Sequence, residues 1–324
     1  MDRGRFFVKG GERMLTTPMD VLTQFPVRKS KVQKQIFRDA VQSYARGLGY
    51  SVSEEKGSMG AVNLLIGNPQ TANFLVTAHY DTCARMLLPN LVAPCSVLFF
   101  WGYQFLIVGS LLLATMVITG VFCLIFRTAE IAFPFAVIVY WLLLLLMMVG
   151  PANRSNANDN TSGVVTLLEI LRSLPENQRS KVCFVLFDLE EAGLLGSSSY
   201  RKTHKSETDR QTVINLDCVG DGDHILLFPT KPLKKNRKKL APLYQCCGYF
   251  GDKSILVRDK GFGFYPSDQM AFPYGVGVGA FHIKKNVGHF YSRIHTPGDT
   301  VLDQTNVNLL RAAITTLISG SAVQ

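Results

Sequence analysis

Between residues 30 and 46, apolar side chains recur at Val32, Ile36, Phe37, Ala40, Val41 and Tyr44. This spacing predicts a helix with one apolar face, Ser30 as its N-cap and Gly47 and Gly49 beyond its end. The period then shortens. Tyr50–Glu54, Ala61–Ile66 and Phe74–Ala78 predict three strands, the last apolar on both faces as a buried central strand is. Further on, Ser162–Leu174 predicts a helix, Val182–Asp188 a buried strand, Ala192–Thr203 a helix and Val213–Asp217 another strand. This alternation implies an α/β fold, a three-layer αβα sandwich around a mostly parallel mixed sheet. No internal repeat is visible.

One stretch breaks the alternation. No charged residue occurs from Met86 to Phe126, nor from Ile131 to Asn153, and each run exceeds the roughly 20 apolar residues that span a bilayer. Only Arg127-Thr128-Ala129-Glu130 separates them, so the pair reads as a two-helix transmembrane hairpin. A buried core hairpin is the alternative, but a core helix of that length keeps a polar face. Trp101, Tyr103, Tyr140 and Trp141 suit the interfacial belts. The expected organisation is a catalytic domain in two parts, 1–96 and 151–324, with the hairpin at 97–150 inserted between them.

Composition agrees. Of 324 residues, 18% are charged and 47% hydrophobic, enough for one large core plus an apolar segment. Net charge is +10, with basic residues at Lys31, Lys34, Arg38 and the run from Lys231 to Lys239. Beside apolar spans, this excess points to an anionic membrane face and not to nucleic acid, for which no motif is present. Seven cysteines without a CxxC pair read as reduced thiols. Asp2, Arg3, Arg5 and Lys9 are followed by no apolar leader, so no secretory signal is expected.

Chemistry concentrates in a few short motifs. His79 and Asp81 sit two apart at the end of a predicted strand, where their side chains share a face and a carboxylate can orient a metal-bound imidazole. Asn158-Asp159-Asn160 opens a predicted helix, either as an N-cap or with Asp159 placed between two metals. Glu190 and Glu191 follow a buried strand, where one carboxylate can bind metal while the other serves as general base. Asp217 ends the next strand, and His295 lies in a turn-rich loop. His289 competes with His295 for the second imidazole role. His204 reads as solvated, and His224 and His282 as hydrogen-bonded residues flanking strands.

In order, HYD, NDNxSG, FxxEEAGLxGS, NLD, YPSDxxxF and HTPxDT resemble the co-catalytic di-zinc exopeptidases, a family that includes bacterial leucyl aminopeptidases, glutamate carboxypeptidases and glutaminyl cyclases. The resemblance runs from Ser30 to Leu310 outside the hairpin. It implies two zinc ions (or another divalent metal), one held by His79, Asp159 and Asp217 and the other by Asp159, Glu191 and His295, with no thiolate in either pocket. Glu190 resembles the general base, Asp81 the acid behind the first histidine, and Ser267-Asp268 a substrate-facing segment. The implied activity is metallo-exopeptidase, with an aminopeptidase favoured; Arg258 or Arg293 would serve a carboxypeptidase. The alternatives are a one-zinc glutaminyl-cyclase-like acyltransferase and an inactive membrane receptor or scaffold. A peptide substrate and a lipid bilayer are the expected partners. The departure is the hairpin, which occupies what is a short loop in the family. Arg85 and Arg154 flank one side of it and Arg127 the other, which places the catalytic domain in the cytoplasm.

Overall fold

The computed structural model describes residues 14–86 and 90–320. The N-terminal residues read above for a leader lie outside them. The chain begins with α1 (Asp20–Gln24), α2 (Lys31–Gly47), β1 (Val52–Lys56), β2 (Val62–Ile66) and β3 (Phe74–His79). Two long helices follow, α3 (Val97–Phe126) and α4 (Ala132–Val149). The chain then alternates through α5 (Gly163–Ser173), β4 (Val182–Phe187), α6 (Leu195–Thr203), α7 (Lys205–Thr208) and β5 (Thr212–Leu216). It ends with β6 (His224–Pro229), α8 (Lys231–Lys235), α9 (Arg237–Tyr244), β7 (Gly248–Phe250), β8 (Lys253–Val257), β9 (Gly275–Lys284), β10 (Gly288–Phe290) and α10 (Gln304–Ser319).

The strands form one sheet in the order β1-β2-β4-β3-β5-β9-β6-β8-β7, with β10 beside β9. Parallel pairing is confined to the centre, β4-β3-β5-β9, and to β6-β8. The remaining pairs are antiparallel. The sheet is therefore mixed and not mostly parallel: short turns fold β1 onto β2, β7 onto β8 and β10 onto β9, and β2 and β6 run against β4 and β9 after long connections.

Side chains of the central strands alternate between two cores. Phe184 and Leu186 of β4 with Val76 and Ala78 of β3 face α2, α5 and α10. Cys183, Val185 and Leu75 face Tyr200 of α6 on the other side. This gives the three layers. Helix α2 starts as expected: Ser30 accepts from the Gln33 amide while the Gln33 side chain returns to the Ser30 amide. Its buried face is the expected one at Phe37, Ala40 and Val41, with Tyr44 packed against the core, but Val32 and Ile36 are exposed while Lys34 and Arg38 are buried. Lys34 Nζ lies 2.7 Å from Asp188, and Arg38 pairs with Glu54 at 2.9 Å and donates to the Tyr80 hydroxyl. These two cations join the helix to the sheet and are not part of a membrane face.

The long helices pack on each other and leave most side chains exposed, including Leu98, Phe105, Leu124, Phe133 and Trp141. At 1.5 Å per residue, α3 is about 45 Å long and α4 about 27 Å. The stem of α3 meets the sheet domain beside Phe264 and Tyr291. The Val92 and Tyr291 backbones pair, the Phe264 amide donates to Pro94 O at 3.0 Å, and the Phe100 ring meets Phe264 edge-on.

Candidate metal centre

Parallel register brings three strand ends to one sheet edge. His79 closes β3 opposite Phe187 of β4, and Thr77 lies opposite Asn215 of β5, so Glu190-Glu191 and Asp217 emerge beside His79. Ligands gather at such an edge in open α/β sheets. Asp159 arrives on the irregular turn Ala157–Ser162 ahead of α5, and His295 on the loop after β10.

Asp159 sits between the two imidazoles. Its Oδ1 is 3.3 Å from His79 Nε2, and its Oδ2 is 3.0 Å from His295 Nε2. His79 Nε2 also lies 3.7 Å from Asp217 Oδ1, and His295 Nε2 lies 3.4 Å from Glu191 Oε2. On the far side of the first ring, Asp81 Oδ1 is 3.5 Å from His79 Nδ1. The ligand atoms of His79, Asp159 and Asp217 lie within 4.8 Å of one another, and so do those of Cys83, Asp159, Glu191 and His295. All the residues expected to bind metal therefore converge as two pockets that share Asp159.

Backbone hydrogen bonds hold this arrangement. The amides of Glu190 and Glu191 donate to the two oxygens of Asp81 at 3.1 and 3.3 Å. The amides of Asn158 and Asp159 donate to the two oxygens of Asp299 at 2.7 and 3.0 Å. Asn160 Nδ2 donates to Leu216 O at 2.9 Å, its Oδ1 accepts from the Gly163 amide, and Asn158 Oδ1 accepts from Gly220. The asparagines thus tie the Asp159 turn to β5 and to the start of α5. Arg28 is buried beneath them and donates to Tyr80 O at 2.6 Å and to Thr161 Oγ1 at 3.2 Å. Nothing in the local sequence singles out Arg28 or the role of Asp299; both depend on long-range packing.

The charge is unbalanced. Among the described residues no lysine or arginine pairs with Asp159, Glu190, Glu191, Asp217 or Asp268; the ion pairs formed there are those with the two histidines. Burial, reinforced by neighbouring carboxylates against the pull of His79, pushes Glu190 and Glu191 well above the ordinary carboxylate range. Burial likewise pushes Asp268 up to about 7 and Asp299 up to about 8. A nest of buried acids with two imidazoles and no matching cation is what a pair of borderline divalent ions fits.

Several expectations change. Ser267, read as substrate-facing, is fully buried, and its hydroxyl accepts from Asn215 Nδ2 at 2.9 Å. Asp268 alone of that pair lies against the acidic cluster. The second pocket includes a sulfur, Cys83 Sγ, where only oxygen and nitrogen were expected. His289 is not a rival ligand; it meets the His224 ring edge-on, and burial lowers it to about 4. His204 is not freely solvated but stacks on Tyr200 and lies 2.6 Å from Glu55. His224 and His282 bond Ser254 and Asp221, as read. Arg293 is engaged by Asp221 at 2.6 and 2.8 Å and is not free to bind a carboxylate substrate.

Known proteins share this architecture. A glutaminyl cyclase from Porphyromonas gingivalis superposes with a TM-score of 0.58 at 17% identity, over 94% of this chain and 97% of that one. A Zn-dependent exopeptidase from Parabacteroides distasonis gives 0.58 at 14% identity, over 95% and 99%. The LapA aminopeptidase of Legionella pneumophila gives 0.55 at 12%, over 95% and 72%. At these identities the likeness shows the fold, an α/β zinc-exopeptidase-like mixed sheet. In sequence, aminopeptidase YwaD of Bacillus subtilis is 43% identical over 70 residues, 20% of this chain and 15% of that protein. The profile of Peptidase family M28 matches residues 147–319, more than half of the chain and all of its sheet after β3, and the chain belongs to that family.

Proposed function

We propose that this chain is a membrane-anchored di-zinc exopeptidase that removes N-terminal residues from peptides. The observation that carries the reading is Asp159, whose two oxygens address two different imidazoles, each backed by a further carboxylate. Zinc held by His79, Asp159 and Asp217, and by Asp159, Glu191 and His295, supplies Lewis acidity toward water and the scissile carbonyl when bound. Glu190 stands beside this set without a cationic partner. It takes the proton of the attacking water on a carboxylate oxygen and returns it to the departing amine. Asp81 keeps the His79 ring in place from behind.

Two features favour an aminopeptidase. The acids of the site outnumber the charges that two divalent ions neutralise, with Asp268 left over, and surplus negative charge suits a substrate's α-ammonium. Of the two arginines that would receive a substrate carboxylate, Arg258 and Arg293, the second is already paired with Asp221. Hydrolysis of free-amine peptides with two zinc ions per chain supports this reading. One zinc with cyclisation of N-terminal glutamine indicates the cyclase, and no metal indicates a scaffold. A fluorogenic panel of free-amine, blocked-amine and free-carboxyl peptides, run with and without chelator on detergent-purified protein, makes the distinction.

The membrane part of the proposal rests on the two charge-free helices at 97–150, exposed on nearly every side and joined to the rim of the site. Lys29 Nζ reaches Met148 O at 3.4 Å, which places a cation at the carboxyl end of α4. Arg85 and Arg154 then favour a cytoplasmic catalytic domain. The basic run does not add to this argument. Lys238 and Lys239 line a cleft with Asn73, Phe74 and Thr212, at the strand edge opposite His79 and Asp217. A probe cysteine at Thr128 is expected to react with an impermeant reagent in intact cells and one at Ser206 is not; the reverse pattern overturns the orientation.

A further inference from the structure

We propose that Cys83 supplies a thiolate as a fourth protein donor to the second pocket, beside Asp159, Glu191 and His295. The inference rests on the metallohydrolase reading and adds to its ligand set. Cys83 is fully buried, and its Sγ lies within 4.8 Å of ligand atoms of Asp159, Glu191 and His295, the same limit that gathers His79, Asp159 and Asp217 in the first pocket. Two other buried thiols rest on backbone carbonyls, Cys183 on Phe184 O and Cys246 on Ala313 O, and a third, Cys218, lies beside Asp217 and Asp159 but outside the groups of ligand atoms. The charged groups around Cys83 are Glu191, Asp159, Asp299 and His79. The residue is held in place by its backbone, since the Asn153 amide donates to Cys83 O at 3.0 Å and Ala84 pairs with Ala152.

Binding would replace the thiol proton, released to solvent, with a sulfur–metal bond. Oxygen and nitrogen donors alone fill the first pocket, whereas a soft sulfur tilts the second toward zinc and cadmium and away from magnesium and manganese. The two pockets of one enzyme would therefore differ in metal preference.

Full-length protein in detergent, loaded with zinc alone, is examined by X-ray absorption. The expected spectrum has a sulfur shell at about 2.3 Å in addition to nitrogen and oxygen at about 2.0–2.1 Å. Cobalt-loaded protein is expected to show a near-ultraviolet thiolate-to-cobalt charge-transfer band. Cys83→Ser should remove both signatures and weaken one of the two sites by at least the roughly 10–100-fold that loss of an outer-shell partner costs. Two bound metals without a sulfur shell overturn the thiolate and leave the di-zinc reading standing. A band that persists in Cys83→Ser assigns the sulfur elsewhere and overturns the proposal. No bound metal overturns both readings. If Cys83→Ser does not fold, the wild-type zinc spectrum decides by the presence or absence of its sulfur shell.

Discussion

His79 and Asp217 stand at the ends of neighbouring parallel strands, with side chains 1% and 9% exposed. Glu191 and His295 stand on loops, 12% and 18% exposed, and His295 adopts a left-handed backbone with φ of 59°. A non-glycine residue there costs of order 1–3 kcal/mol, so its neighbours must hold it. Some of those neighbours belong to the hairpin stems. The Met86 amide donates to His295 O at 2.8 Å, and the Asn153 side chain reaches Thr296 O at 2.9 Å. The first pocket is fixed by the sheet and the second by the stems of α3 and α4. The insertion is therefore part of how the site is built.

The bridging residue should show no such asymmetry. Asp159→Asn is expected to remove both metals together and to reduce activity to background, as read by metal analysis of the purified protein. His295→Ala should empty mainly the second pocket, and His79→Ala mainly the first. Full occupancy in Asp159→Asn would break the shared-ligand arrangement.

Glu190→Gln separates chemistry from binding. Both metals should remain while turnover falls by about 10²–10⁴-fold, the usual loss for a general base. Glu191→Gln should instead lose metal from the second pocket only. Equal turnover in wild type and Glu190→Gln would transfer the base role elsewhere.

Asp299 tests what the pockets share. An asparagine there turns one acceptor into a donor facing a buried amide, a cost of about 1–3 kcal/mol. Asp299→Asn should lower thermal stability and weaken both metals alike, since the Asp159 turn serves both pockets. Weakening confined to one pocket would show that the turn is held by Asn158 and Asn160 without it.

The first pocket was also the more legible in sequence, for the same reason. Strands β3, β4 and β5 are mainly apolar runs, broken only by Thr77, Thr212 and Asn215, and the charged or ionisable residue that follows each run marks the sheet edge. Residues held by tertiary contacts left weaker marks. Helix α6 begins at Leu195 and not at Ala192, because Leu189, Gly193 and Leu194 take positive φ in the loop that presents Glu190 and Glu191. Strand β9 alternates three glycines with Val276, Val278 and Ala280, so one of its faces carries few side chains. A Cβ at Gly277 would approach the Gln269 side chain to 2.7 Å, and one at Gly279 the Tyr265 hydroxyl to 2.9 Å. Its composition records close packing against the Tyr265–Gln269 segment, which no local pattern announces. Cys83 was hidden in a similar way, two residues past a recognised motif and recruited by chain from elsewhere.

The smallest expected effect probes the stems directly. Phe264 meets Phe100 of α3 with ring centroids 5.2 Å apart, and its amide holds Pro94 O. An aromatic pair of this kind contributes about 0.5–1.5 kcal/mol beyond area burial. Phe264→Ala keeps the backbone bond and loses the ring contact, which loosens the stem that pairs with Tyr291, four residues before His295. If the stem positions His295, affinity for the second metal should fall by up to roughly tenfold, the equivalent of that energy. The first metal should be unaffected, because His79 and Asp217 answer to β3 and β5. Stepwise zinc titration with a competing chelator resolves the two affinities. Equal loss at both sites would mean that the hairpin acts on the whole sheet edge, and no loss at either would mean that the stems position His295 without help from α3.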